Sequence, residues 1–182
     1  NPVLINGKMH VQRINDNNVY KEFIRASKGK PYLFQEADSK DGDSHGFVFI
    51  APKGIQAKTL TSEQWFQIGQ ALRSIHEIPT GKEGTAYCHG PFYYSNFYLL
   101  PNGRLEYIGG YSNVYVGNPE DDLLSAGLLA FQSTYFFPNS NQEGIRNLLK
   151  GYGLTFDGFL DKLIDFQLQL ARSSDTSEDI RL

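Results

Sequence analysis

Residues 87–123, YCHGPFYYSNFYLLPNGRLEYIGGYSNVYVGNPEDDL, decide how this chain is read. They run as a strand end, a loop opening on His89-Gly90, two strands joined by Pro101-Asn102-Gly103, and a loop closing on Gly117-Asn118-Pro119. The acidic pair Asp121-Asp122 then opens an apolar helix. The partial positive charge of a first helical turn stabilises carboxylates there. A strand–loop–strand unit with polar side chains at both loop ends is a frequent framework for a small-molecule or phosphate site.

The bulk numbers set outer limits. A chain of 182 residues buries a substantial core and makes one domain or two small lobes. With 20% charged residues, a net charge of −3 and no Lys/Arg cluster, neither nucleic acid nor an anionic membrane is an expected partner. Cys88 is the single cysteine, so no disulfide forms within the chain, and a reducing, cytoplasmic setting is expected. No apolar run reaches the length of a membrane span, and no signal-peptide pattern is present.

Outward from the central stretch, the rest falls into two parts. Asn6-Gly7 between Val3–Ile5 and residues 8–14 predicts a hairpin, since Asn-Gly suits paired positive φ angles. Residues 19–26 have loose helical spacing, and residues 31–36 and 46–51 read as strands flanking a charged turn. After a connector at 52–60, Thr61 and Gln64 form a capping-box pattern, and Trp65, Ile68, Leu72 and Ile75 repeat at helical period. Residues 122–137 predict a buried helix stopped by Pro138, and 142–150 a short one with Gly151 just past its end. Asp157 is the expected cap of a last helix with the stripe Leu160, Leu163, Ile164 and Leu168.

Four local patterns occur in order. Leu72, Ile75 and His76 close a helix of the form Leu-x-x-Ile-His. His89-Gly90 and Asn96 keep the spacing of a His-Gly-Asp-x-x-x-x-Asn loop. Ile108-Gly109-Gly110 stands where Ile-Asp-aromatic would follow, and residues 117–123 (GNPEDDL) match Gly-Asp-Pro-x-x-Asp-Leu. Together they resemble the aminoglycoside phosphotransferase and choline kinase family, a branch of the protein-kinase-like fold. The resemblance covers nearly the whole chain. It implies an α+β, two-lobe architecture: a truncated, antiparallel β small lobe at 1–51, a hinge at 52–60, a mainly helical large lobe with an inserted β-hairpin at 61–172, and a frayed tail at 173–182. It also implies that the chain begins after the family's first strand and phosphate-covering loop. Arg13, Ile50, Ala51 and Asn96 would border the nucleotide cleft.

The departures fall on the chemistry. Phosphoryl transfer uses one carboxylate to orient the attacking hydroxyl and others to hold Mg²⁺. The first of these positions is Pro91, the second is Gly109, and the Asp of Gly-Asp-Pro is Asn118. The loop His89, Pro91 and Asn96 is degenerate: of the base carboxylate, the metal carboxylate and the metal-binding Asn, only Asn96 remains. The expectation is a pseudokinase-like binding or regulatory module with no catalytic residue, no bound metal and no cofactor. A small molecule or a protein would occupy the vestigial cleft. The alternative is an active phosphotransferase, using ATP and Mg²⁺ on a hydroxyl, with Glu106 or Asp122 as relocated carboxylates. Glu106 reads first as a solvated strand residue, Asp121 and Asp122 as capping or bracing groups, and His89 as a brace before a general base. Cys88 and His89 should point to opposite faces, against a dyad, and no His/Cys/Asp spacing matches a metal site. Among the crowded aromatics, most are expected to pack inside, with Tyr93, Tyr94 and Tyr111 exposed. If those rings instead plug the cleft, the chain would be a purely structural domain.

Overall fold

The computed structural model describes residues 2–5, 8–12, 18–33, 46–50, 53–132 and 141–178, with side chains over 18–33, 53–111, 113–131 and 142–172. The first sheet is antiparallel, with β1 (Pro2–Ile5) and β2 (Lys8–Gln12) forming the expected hairpin. Register Ile5↔Lys8 leaves two residues for its connection. A first helix, α1 (Asn18–Ala26), is followed by β3 (Gly46–Ile50), which pairs with β2 so that Lys8 faces Ile50 and Gln12 faces Gly46. Of the strand expected at 31–36, the described part is a turn in which Tyr32, at φ 64°, makes one parallel bridge to Tyr107. Its carbonyl accepts the Ile108 amide at 2.9 Å, which ties Tyr32 to the central unit.

The chain then enters its second part through a two-residue strand, β4 (Ile55–Gln56). Helix α2 (Ser62–His76) begins as the sequence predicts: Thr61 accepts the Gln64 amide and the Gln64 side chain accepts the Thr61 amide. Trp65, Ile68, Leu72 and Ile75 are all buried, each such side chain adding roughly 1.5–3 kcal/mol. Three short strands follow: β5 (Ala86–Cys88), β6 (Phe97–Leu99) and β7 (Leu105–Ile108). A last strand, β8 (Tyr115–Gly117), returns to pair antiparallel with β5, while β4, β6 and β7 form the hinge-side sheet.

Three helices complete the large lobe. α3 (Pro119–Gln132) starts three residues before the predicted Asp122, because Asn118 accepts the Glu120 amide on its side chain and Pro119 opens the first turn. α4 (Asn141–Tyr152) runs past Gly151, and the stop is Gly153 at φ 92°, whose amide bonds back to Leu149 and Lys150. Gly151 has a different task. A Cβ there would run into the Phe66 carbonyl of α2, and one at Gly69 into the Leu148 carbonyl of α4. The two helices cross backbone to backbone at these glycines. α5 (Phe159–Glu178) follows Gly158 and continues beyond the point where the polar composition predicts fraying. No helix among the described residues is long and apolar enough to cross a membrane.

A column of rings joins the two parts. Tyr87 tilts on Phe23 of α1 (5.3 Å), Phe23 stacks on Tyr111 (4.8 Å), and Tyr111 meets the edge of His89 (4.8 Å). His89 stacks on Phe92 (4.2 Å), Phe92 on Phe97 (5.6 Å), and Phe97 meets Trp65 of α2 edge-on (6.1 Å). Such pairs add about 0.5–1.5 kcal/mol each beyond area burial.

Candidate functional site

The loop after β5 is held by one carboxylate. Asp122, fully buried in the first turns of α3, accepts the amide of His89 at 2.9 and 2.8 Å and that of Gly90 at 2.9 Å. Its second oxygen lies 3.2 Å from His76 Nε2, and His76 Nδ1 lies 2.9 Å from the Tyr152 hydroxyl. Cys88 Sγ joins this group, its thiol donating to the Asn118 carbonyl at 3.3 Å. Ligand atoms of His76, Cys88 and Asp122 thus lie within 4.8 Å of one another, a convergence that sequence spacing cannot reveal because three elements supply them. Each atom already has a hydrogen-bond partner, and burial with the nearby Asp122 and Asp121 charges pushes the Cys88 thiol up to about 12. The cluster is a brace.

His89 is equally committed. Its Nε2–H donates to the Gly109 carbonyl at 2.9 Å, leaving Nδ1 buried without a partner. Burial lowers its pKa, against the smaller opposing effects of the Gly109 bond and the Asp122 charge. The ring is a neutral strut between Phe92 and Tyr111.

Asn96 closes the other end of the loop. Its side-chain oxygen accepts the Tyr93 amide at 2.7 Å, its own amide donates to the Tyr93 carbonyl at 2.9 Å, and its carbonyl accepts the Gly109 amide at 2.7 Å. Gly110, at φ 95°, lies directly behind it: a Cβ there would overlap the Asn96 amide nitrogen and come within 2.9 Å of His89 Nε2. No side chain fits at 110, and Gly109, where the sequence places the lost carboxylate, meets Asn96 through its backbone. Both are glycine. The left-handed turn at Gly110 drives Tyr111 inward, so Tyr111 is 6% exposed and not at the surface as expected. Tyr94 is half-buried against the core, and Tyr93 is exposed at 63%.

Glu106 is half-buried, and its carboxylate is engaged. Its two oxygens accept the amides of Lys53 (3.1 Å) and Gly54 (2.6 Å), latching β7 to the segment that leads into β4. Of the residues expected at the nucleotide side, Arg13 and Ala51 lie outside the described residues, and Ile50 ends β3 opposite Lys8.

No protein-family model matches the chain, and no curated protein matches it by sequence. Solved structures do. The aminoglycoside phosphotransferase APH(3'')-Id from Streptomyces rimosus superposes with a TM-score of 0.58 at 16% identity, over 90% of this chain and 89% of that one. The same protein in complex with ADP and streptomycin gives 0.61 at 15% identity, over 86% and 84%. An aminoglycoside-3'-phosphotransferase of type VIII gives 0.51 at 15%, over 86% and 81%.

The fold is that of the aminoglycoside phosphotransferases.

At these identities the likeness speaks of architecture, and the chemistry has to be read from the side chains in place. Mg²⁺ demands near-octahedral oxygen ligation. Within the frame of this aminoglycoside phosphotransferase fold, the Asn96 oxygen is taken by Tyr93, both Glu106 oxygens by the hinge, and the Asp122 oxygens by the loop and His76. These residues do not fit a Mg²⁺ site. On the outer side of Pro91, in contrast, a cavity of about 490 Å³ opens between the loop and helices α3 and α5. It is lined chiefly by Phe92, Tyr93, Tyr115, Leu129 and Phe166, with Asp121 and Ser125 as its polar groups. Sequence reasoning left this cavity unseen, because α5 enters it from residues far along the chain.

Proposed function

We propose that this protein uses the aminoglycoside phosphotransferase fold as a small-molecule binding module and does not transfer phosphate. The observation that carries the reading is the engagement of the Asn96 side chain by its own loop. The one surviving metal-type ligand is spent on capping the loop turn, and the residue expected to supply a carboxylate beside it is Gly109, which offers only its backbone amide to the Asn96 carbonyl. A neutral amide alone makes a poor Mg²⁺ site. Pro91, exposed at the expected base position, has no atom to accept the proton of an attacking hydroxyl. The relocated carboxylates that an active enzyme would require, Glu106 and Asp122, are both occupied by backbone amides.

What remains is a braced loop, an open cavity and a scaffold whose neighbour was solved with ADP and streptomycin. Binding without turnover fits all three. A reducing, cytoplasmic setting belongs to this reading, supported by the buried, unpaired Cys88. The test is direct: ATP with Mg²⁺ leaves the melting temperature unchanged and no ADP is released with any alcohol acceptor. Turnover that needs Mg²⁺ and disappears in Asn96→Ala would overturn it.

A further inference from the structure

The cavity beside Pro91 has a chemistry unlike that required for a polyhydroxylated polycation. Its wall is apolar and aromatic: Phe92, Tyr93 and Tyr115 on the loop side, Leu129 of α3 and Phe166 of α5 opposite. Among its described lining residues the sole carboxylate is Asp121, and none is Lys or Arg. Asp121 sits in the first turn of α3, where the helix terminus favours its charge. The Tyr115 hydroxyl donates to Asp121 Oδ2 at 3.4 Å, which orients the carboxylate. Lys162, the cation of α5 close to this end of α3, pairs with Glu120 instead. Ser125 accepts the Phe92 amide at 3.0 Å, so its own hydroxyl proton is available to a ligand.

We propose that this cavity binds a hydrophobic monoamine, with the ammonium at Asp121 beside the Tyr115 ring and the apolar body against Phe92, Leu129 and Phe166. The proposal rests on the binding-module reading and names its ligand class. An anion finds no counter-charge here and meets Asp121. A neutral molecule of the same shape gains the apolar contact and leaves the carboxylate without a partner. A streptomycin-like polycation brings several charges to a single carboxylate and hydroxyls to an apolar wall. An aromatic face and a carboxylate together suit one cationic head. The volume lies within the range of drug-sized sites.

The experiment is calorimetric titration of the whole chain with three isosteres: biphenylmethylamine, biphenylmethanol and biphenylcarboxylate, with streptomycin as a fourth ligand. The amine should bind about tenfold more tightly than the alcohol, and Asp121→Asn should erase that difference, as expected for loss of a charged partner. The carboxylate and streptomycin should not bind measurably. Leu170→Lys, at the exposed rim of the cavity, should weaken the amine and admit the carboxylate. Equal affinity for amine and alcohol, an unchanged amine affinity in Asp121→Asn, tight streptomycin binding or no binding of any probe would each overturn the ligand class. Those results leave the absence of phosphoryl transfer standing. Mg²⁺-ATP-dependent modification of a bound probe would do the reverse.

Discussion

At the scale of single residues, the Glu106 and Asp122 carboxylates are structural. Glu106 shows it best, because a hinge amide and its neighbour are both satisfied by one side chain 52 residues away from Gly54. Glu106→Ala should cost about 1–2 kcal/mol in urea unfolding, the range for amides that lose a charged acceptor, and Glu106→Gln less, since one oxygen is kept. If Glu106→Gln instead removed Mg²⁺-dependent nucleotide binding, the residue would be a metal ligand. His89 gives a second test through pH. Its ordinary pKa is 6.5, and burial holds the folded-state value below that. Between the two values the unfolded chain carries a proton that the folded chain lacks. The stability due to the neutral ring is therefore complete above pH 6.5 and drains away as pH falls below it, by up to about 1.4 kcal/mol per unit. His89→Asn cannot titrate. Unfolding at about pH 7.5 and about pH 5.5 should show the wild type losing more stability than the variant on acidification, and equal losses would count against the buried neutral imidazole.

At the scale of elements, what was legible from the sequence had short range. The Thr61–Gln64 capping box and the Trp65, Ile68, Leu72, Ile75 stripe placed α2 because a cap and a 3.6-residue period act within one helix. Likewise, Pro101-Asn102-Gly103 marked the β6–β7 turn. Contacts between elements were not legible. Gly151 reads from sequence as a helix stop, yet it is a packing residue, since its meaning is set by Phe66 on another helix. Glycines at such crossings let backbones approach closely. Gly69→Ala and Gly151→Ala should each lose about 1–3 kcal/mol, the cost of overpacking, although alanine has the higher helix propensity. Thermal melts giving either α2 or α4 variant a raised melting temperature would mean that the helices are not in backbone contact.

At the scale of the molecule, the fold class was readable because four patterns keep their order along the chain, while the site was readable only as absences. That Pro91 and Gly109 lack carboxylates is a fact of sequence; that Asn96, Glu106 and Asp122 are engaged elsewhere needed coordinates. The same holds for Tyr111, which the sequence placed at the surface and which is instead the link between Phe23 and His89. The ring column makes α1 dependent on the loop that borders the cavity. Phe23 is 1% exposed and touches both Tyr87 and Tyr111, so Phe23→Ala should cost about 3–5 kcal/mol where the ring is removed. The buried contacts of α2 with α4 do not pass through Phe23. Hydrogen exchange should then show α1 amides losing protection, the His89 and Gly90 amides losing part of theirs, and the α2 and α4 amides keeping most of it, as expected for a cooperative unit that opens on its own. Uniform loss across all helices would mean instead that α1 and the large lobe unfold as one body, and that the cavity loop cannot be moved separately from the core.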